Sequence, residues 1–107
     1  MQRELELAEL IERWTLVGEE LGRARGKRGV NALAFALLLK FVIAYGRFPR
    51  GRSEVPDGVV EFLARQVGVP AGELGFYDWS GPTIERHRSE IRDCWITRSA
   101  RWPTRVW

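Results

Sequence analysis

His87 and Cys94 are the two side chains whose types and spacing come nearest to covalent chemistry. Seven residues apart, they fall on one face if the segment is helical, and an imidazole can take the proton of a thiol or of a serine hydroxyl. The pattern stops there. No third group is spaced to orient the imidazole, and His87 stands between Ile84 and Ile91 at helical intervals, where a packed core histidine is expected. A single His and a single Cys exclude a zinc-finger type of cluster and an internal disulfide. Glu4, Glu6, Glu9 and Glu12 read as one solvated helix face rather than a metal site. Gly22, Gly26 and Gly29 lack the preceding strand on which phosphate-cradling loops depend. The residues therefore point to no catalytic group, no metal and no cofactor, and the expectation is a protein that is not an enzyme.

Arginine is the chemistry that remains. Residues 21–52 carry eight bases and no acid: Arg23, Arg25, Lys27, Arg28, Lys40, Arg47, Arg50 and Arg52. The flanking segments 1–20 and 53–80 are each at −4, and 81–107 is at +3, so the net charge of +3 conceals a segregated pattern. Such segregation favours an anionic partner, most commonly nucleic acid. A solvated basic loop without a partner accounts for the same charges, and cations at 23–28 also suit the negative end of a helix dipole. Arg outnumbers Lys 15 to 2, a bias that a GC-rich gene produces without selection for binding. Further on, Arg86, Arg88 and Arg92 project away from an Ile84/Ile91 seam, after a tight Ser80-Gly81-Pro82 turn. Helix-turn-helix proteins present a recognition helix to the major groove in this way, and Arg suits bidentate contact with guanine. The competing expectation is an Arg86–Glu90 pair, four residues apart, that does nothing more.

The elements that must hold these residues are helical throughout. Leu7, Leu10, Ile11 and Trp14 follow the i, i+3, i+4, i+7 rule, and Glu9 and Arg13 can pair on the other side. A short helix over 17–28 is weakened by three glycines. The segment 31–45 is apolar on both sides, with Phe35, Leu38, Leu39 and Val42 on one stripe and Leu33, Leu37 and Phe41 on another. It is expected to be the buried centre of the domain, with Gly46 ending it and Lys40 snorkelling to the surface. The loop after it exposes Arg47, Arg50 and Arg52. Val-Pro-x-Gly occurs at 55–58 and 69–72, placing Pro at the first position of two helices. In the first of these, Val59, Phe62, Leu63, Gln66 and Val67 share a face. Phe76, Tyr77 and Trp79 form an aromatic knot expected in the core. No segment alternates with period two. The predicted fold is all-α: a single small domain of about five or six short helices around the central helix 31–45, with a helix-turn-helix-like end. At 107 residues with 45% apolar residues, one modest core is the limit. The lone Cys, the acidic N-terminus and the short apolar run interrupted by Lys40 predict a soluble, cytoplasmic protein without a membrane partner.

Trp14-Thr15-Leu16, Lys27-Arg28-Gly29, Phe35-Ala36-Leu37-Leu38-Leu39-Lys40-Phe41 and Gly46-Arg47-Phe48-Pro49 stand in a characteristic order. They are followed by Val55-Pro56, Arg65-Gln66-Val67-Gly68-Val69-Pro70, Tyr77-Asp78-Trp79-Ser80-Gly81 and Arg86-His87-Arg88-Ser89-Glu90-Ile91-Arg92. Over residues 12–93 this set resembles the N-terminal region of the Tn-3 family of replicative transposases (class II transposons). The resemblance implies a helical module that binds the terminal inverted repeats of a transposon as double-stranded DNA, in association with the nucleoid. It places catalysis downstream, in an RNase H-like domain whose carboxylates hold Mg²⁺, so this chain is expected neither to cut nor to join DNA. Two features depart from the family pattern: Pro82 replaces a basic residue, and after Asp93 the chain reads Cys94-Trp95-Ile96-Thr97-Arg98 instead of an apolar-Gly-Phe-Arg run. Residues 1–93 are accordingly read as the family-like domain, and 94–107 as a basic, aromatic tail with the makeup of an out-of-frame reading, as in a truncated transposase. On this view Arg23, Arg25, Lys27 and Arg28 form one backbone-contacting cluster and Arg47, Arg50 and Arg52 a second, with Arg86, Arg88 and Arg92 facing the groove. The alternative is an inert or protein-interaction remnant that associates with an intact transposase or with itself.

Overall fold

The computed structural model describes residues 7–98, and the side chains of residues 8–93. Its elements are α1 (Leu7–Trp14), α2 (Glu19–Arg25), α3 (Val30–Tyr45), a 3₁₀ turn (Arg52–Glu54), α4 (Asp57–Val67), a second 3₁₀ helix (Ala71–Phe76) and α5 (Pro82–Arg98). Among the described residues there is no strand, and the architecture is an all-helical single small domain. The side chains of Leu7 and Cys94, the acids Glu4 and Glu6 and the tail from 99 onward lie outside the described residues, and the expectations placed on them with them.

Helix α3 is the axis. Every residue from Ala32 to Val42 is buried, because no side of this sequence is polar enough to face water. The chain leaves it through Gly46, whose left-handed backbone (φ 77°) lets its N–H donate to the Val42 carbonyl at 2.8 Å. α1, α2, α4, α5 and the second 3₁₀ helix all pack against α3. At one end Trp14, Phe41 and Tyr45 interlock, with ring centroids 4.7–6.4 Å apart. At the other, Ile84, His87 and Ile91 turn the inner face of α5 onto the core, as their spacing predicts.

Several local expectations are corrected. Lys40 does not snorkel: the side chain is buried and its ammonium lies 3.1 Å from Glu20 Oε1. Ile11 and Phe76 are exposed rather than in the core, at 53% and 79%. Phe76 ends a 3₁₀ helix, whose threefold period turns it outward while Leu74 and Tyr77 turn in. α2 is shorter than expected, because Gly26 closes it. Pro56 and Pro70 cap their helices from the position before the first helical residue. α5 passes through Asp93 without interruption.

Candidate nucleic-acid interface

The three basic clusters come from three parts of the chain. One is α5 itself, and the other two each meet it at one point, α2 through Arg23 and Lys27 and the loop after α3 through Phe48. From the end of α2, Arg23 and Lys27 both reach Glu90, at 3.3 and 2.9 Å. From the loop after α3, Phe48 inserts its ring beneath Arg88 and Arg92, whose guanidinium carbons lie 5.8 and 5.6 Å from its centroid. Glu90 therefore goes to residues more than 60 positions away, and not to Arg86, the i, i+4 partner suggested by spacing. The reason is geometric. Arg86 stays on the solvent side of α5, whereas Glu90 sits at the edge that meets α2, where two cations already converge.

The remaining site residues divide between bound and unbound. Arg25 donates to the Gln66 carbonyl from Nε and Nη2, at 3.3 and 3.0 Å, and so ties α2 to α4. Arg47 makes a two-pronged pair with Glu54, both arms at 3.1 Å, and the same carboxylate accepts the Arg50 backbone N–H. These bonds hold the Glu54 carboxyl below its usual range and raise Arg47 above its own. Arg52 pairs with Asp57 and donates to the Val55 carbonyl. Arg88 donates to Glu85 at 2.8 Å. Arg28, Arg50 and Arg86 are exposed and their side chains form none of these ion pairs, although the charge of Arg50 acts on Glu54.

The turn into α5 and its inner face set the orientation of the helix. Asp78 Oδ1 accepts the Ser80 backbone N–H at 2.9 Å and lies 3.2 Å from its hydroxyl, while a β-carbon at Gly81 would run into the same carboxylate. One turn further, the Tyr77 hydroxyl and His87 Nδ1 are hydrogen-bonded at 2.8 Å. The Tyr77 and His87 rings are parallel to within 2°, and Phe35 meets His87 edge-on. Burial pushes His87 down to about 4, assisted by the positive charge of Lys27, and raises the Tyr77 hydroxyl above its usual range. The imidazole, packed between two rings and hydrogen-bonded to a phenol, positions α5 against the core. Among the described residues no group of three or more His, Cys, Asp or Glu is placed to hold a metal ion.

Three organising residues escape sequence inspection. Glu90 and Glu54 look like ordinary surface acids, and nothing in their spacing marks either as the counter-ion of distant cations. Gln66 looks like the polar intruder on an apolar face; it donates to the Trp14 carbonyl at 3.0 Å and accepts the Leu16 N–H at 2.7 Å, clamping the end of α1.

The fold and site together define an all-helical domain whose last helix carries three arginines and is met by two cations from α2. Residues 1–103 match the family described as a domain of unknown function, DUF4158, and the chain belongs to that family. The match continues past Asp93 and takes in residues 94–103. No solved structure matches the chain. No described helix is long and apolar enough to cross a membrane.

Proposed function

We propose that this chain is a DNA-binding module of Tn-3 family transposase origin, recognising terminal inverted repeats largely through phosphates and having a binding rather than a catalytic role. The observation that carries this reading is that Arg23 and Lys27 at the end of α2, and Phe48 of the loop that bears Arg47, Arg50 and Arg52, all meet α5, which itself carries Arg86, Arg88 and Arg92. Cations from α2 and α5, distant in sequence, thereby lie side by side, as contact with a phosphate backbone requires. The ordered motifs over residues 12–93 supply the particular class of DNA. α5, entered through a tight turn after α4 and a 3₁₀ helix, is the element suited to the groove.

The pairing pattern sharpens the expectation. If only Arg28, Arg50 and Arg86 meet phosphates, log K falls with log salt at a slope of about −2.7; if all ten basic residues do, the slope nears about −9. Fluorescence anisotropy across a salt series, with an inverted-repeat duplex and a scrambled duplex of equal length, tests the proposal. Tighter binding to the repeat with a slope inside that range supports it, and a slope near zero would falsify it. Equal, feeble binding to both, with self-association or capture of intact transposase, favours the interaction-remnant reading instead, with exposed Ile11, Val17, Tyr45 and Phe76 as the apolar surface.

A further inference from the structure

We propose that Arg88 and Arg92, gathered on the ring of Phe48, form a preassembled seat for a single phosphodiester group, and that Glu85 occupies part of it in the free protein. This deepens the DNA-binding reading and rests on it for the identity of the phosphodiester. Arg88 and Arg92 are one turn apart on α5, and both guanidinium groups lie within cation–π range of the same ring. Phe48 is held in place by its neighbour Pro49, which is fully buried. Two like charges are thereby kept close together by packing, before any anion arrives. Arg47 and Arg50 flank Phe48 in the chain and add to the positive field.

The seat also holds a surplus donor. Arg88 Nη1 donates to Glu85, but its Nε is buried and has no hydrogen-bond partner. A guanidinium presents Nε and Nη2 as one parallel edge and Nη1 and Nη2 as another, either of which matches two oxygens of a phosphate. Glu85 occupies the second edge only, at Nη1. The pair is lopsided in exposure: the Arg88 side chain is 21% exposed and that of Glu85 63%. The carboxylate can therefore swing into water while the arginine stays on Phe48, so an incoming phosphate takes its place on Nη1. A turn of the guanidinium then brings the buried Nε to a second oxygen.

The test uses the full chain, the inverted-repeat duplex and inorganic phosphate. Glu85→Gln removes the competing charge and adds no donor, so it should tighten duplex binding about twofold to fivefold, a gain that misfolding cannot imitate. Arg88→Gln should weaken binding and make the salt slope shallower by about 0.9. Arg88→Lys should keep the slope and lose affinity, because the charge survives without the fork. In parallel, the Arg88 Nε–Hε NMR signal, assigned by its loss in Arg88→Lys, should move on titration with phosphate. If the wild type binds the duplex but Glu85→Gln leaves affinity unchanged or weaker, the seat is overturned and the DNA reading survives. If the duplex does not bind while the Nε–Hε signal still follows phosphate, the anion seat stands and the DNA reading falls. A signal indifferent to phosphate, with Glu85→Gln also without effect, overturns the seat.

Discussion

α3 and α5 are nearly the same length, 16 and 17 residues, yet they treat charge in opposite ways. α3 is buried on every side and carries one charge, Lys40, which is tied to Glu20 with side-chain exposures of 8% and 15%. α5 buries one face only and carries its arginines at the edges and outside, where the carboxylates Glu90 and Glu85 are 34% and 63% exposed. In the core an ion pair is permanent, since neither ion can find water if the other is removed. On the rim a carboxylate is one partner among several. The difference teaches that basic residues of this chain are not equivalent: Lys40 belongs to the fold, and the cations around α5 are available for exchange.

The largest effect that would sharpen this contrast comes from Glu20. Glu20→Ala strands the Lys40 ammonium in the core and also takes the acceptor from the Val17 N–H, so urea denaturation at neutral pH should show a loss of about 3–5 kcal/mol. Replacing both partners with apolar residues, as in Lys40→Met with Glu20→Leu, should restore most of it. A loss below about 1 kcal/mol for Glu20→Ala would mean that Lys40 reaches solvent, and the contrast between the helices would collapse.

His87 tests whether the inner face of α5 behaves like α3. Its ordinary value of 6.5 applies to the unfolded chain and about 4 to the folded one, so the unfolded chain takes up the proton first as pH falls. The stability that rests on a neutral His87 is complete above pH 6.5 and is lost on the way down to pH 4, about 3 kcal/mol in all. The advantage of the wild type over His87→Gln should shrink across that window, measured by denaturant unfolding at a series of pH values. A constant difference would place the imidazole in contact with water.

The smallest effect belongs to the rim. Asp57 is 86% exposed in its pair with Arg52, so Asp57→Asn should change stability by about 1 kcal/mol or less. A larger loss would show that the loop after α3 is braced by this pair, and that Arg52 is no freer than Lys40.

Helix α3 was legible because its signal is one-dimensional: an unbroken apolar run closed by a glycine. The arginine clusters were legible as charge for the same reason. What escaped was their pairing. Glu90 selects Arg23 and Lys27 across 67 and 63 residues over its neighbour Arg86, a choice made by the packing of α2 on α3 and invisible to helical spacing. Lys40 misled because a long side chain in an apolar helix usually finds the surface, whereas here α2 lays Glu20 over it. Phe76 misled because runs of aromatics suggest a core, while the 3₁₀ backbone there alternates inward and outward residues differently from an α-helix.

The clamp that Gln66 places on the end of α1 makes the Leu16 amide a clock. Its proton is bonded to a side chain of α4 and to nothing in its own segment. It can exchange with deuterium once Gln66 lets go, so its exchange rate times the release of the clamp on the N-terminal helix, an opening smaller than global unfolding.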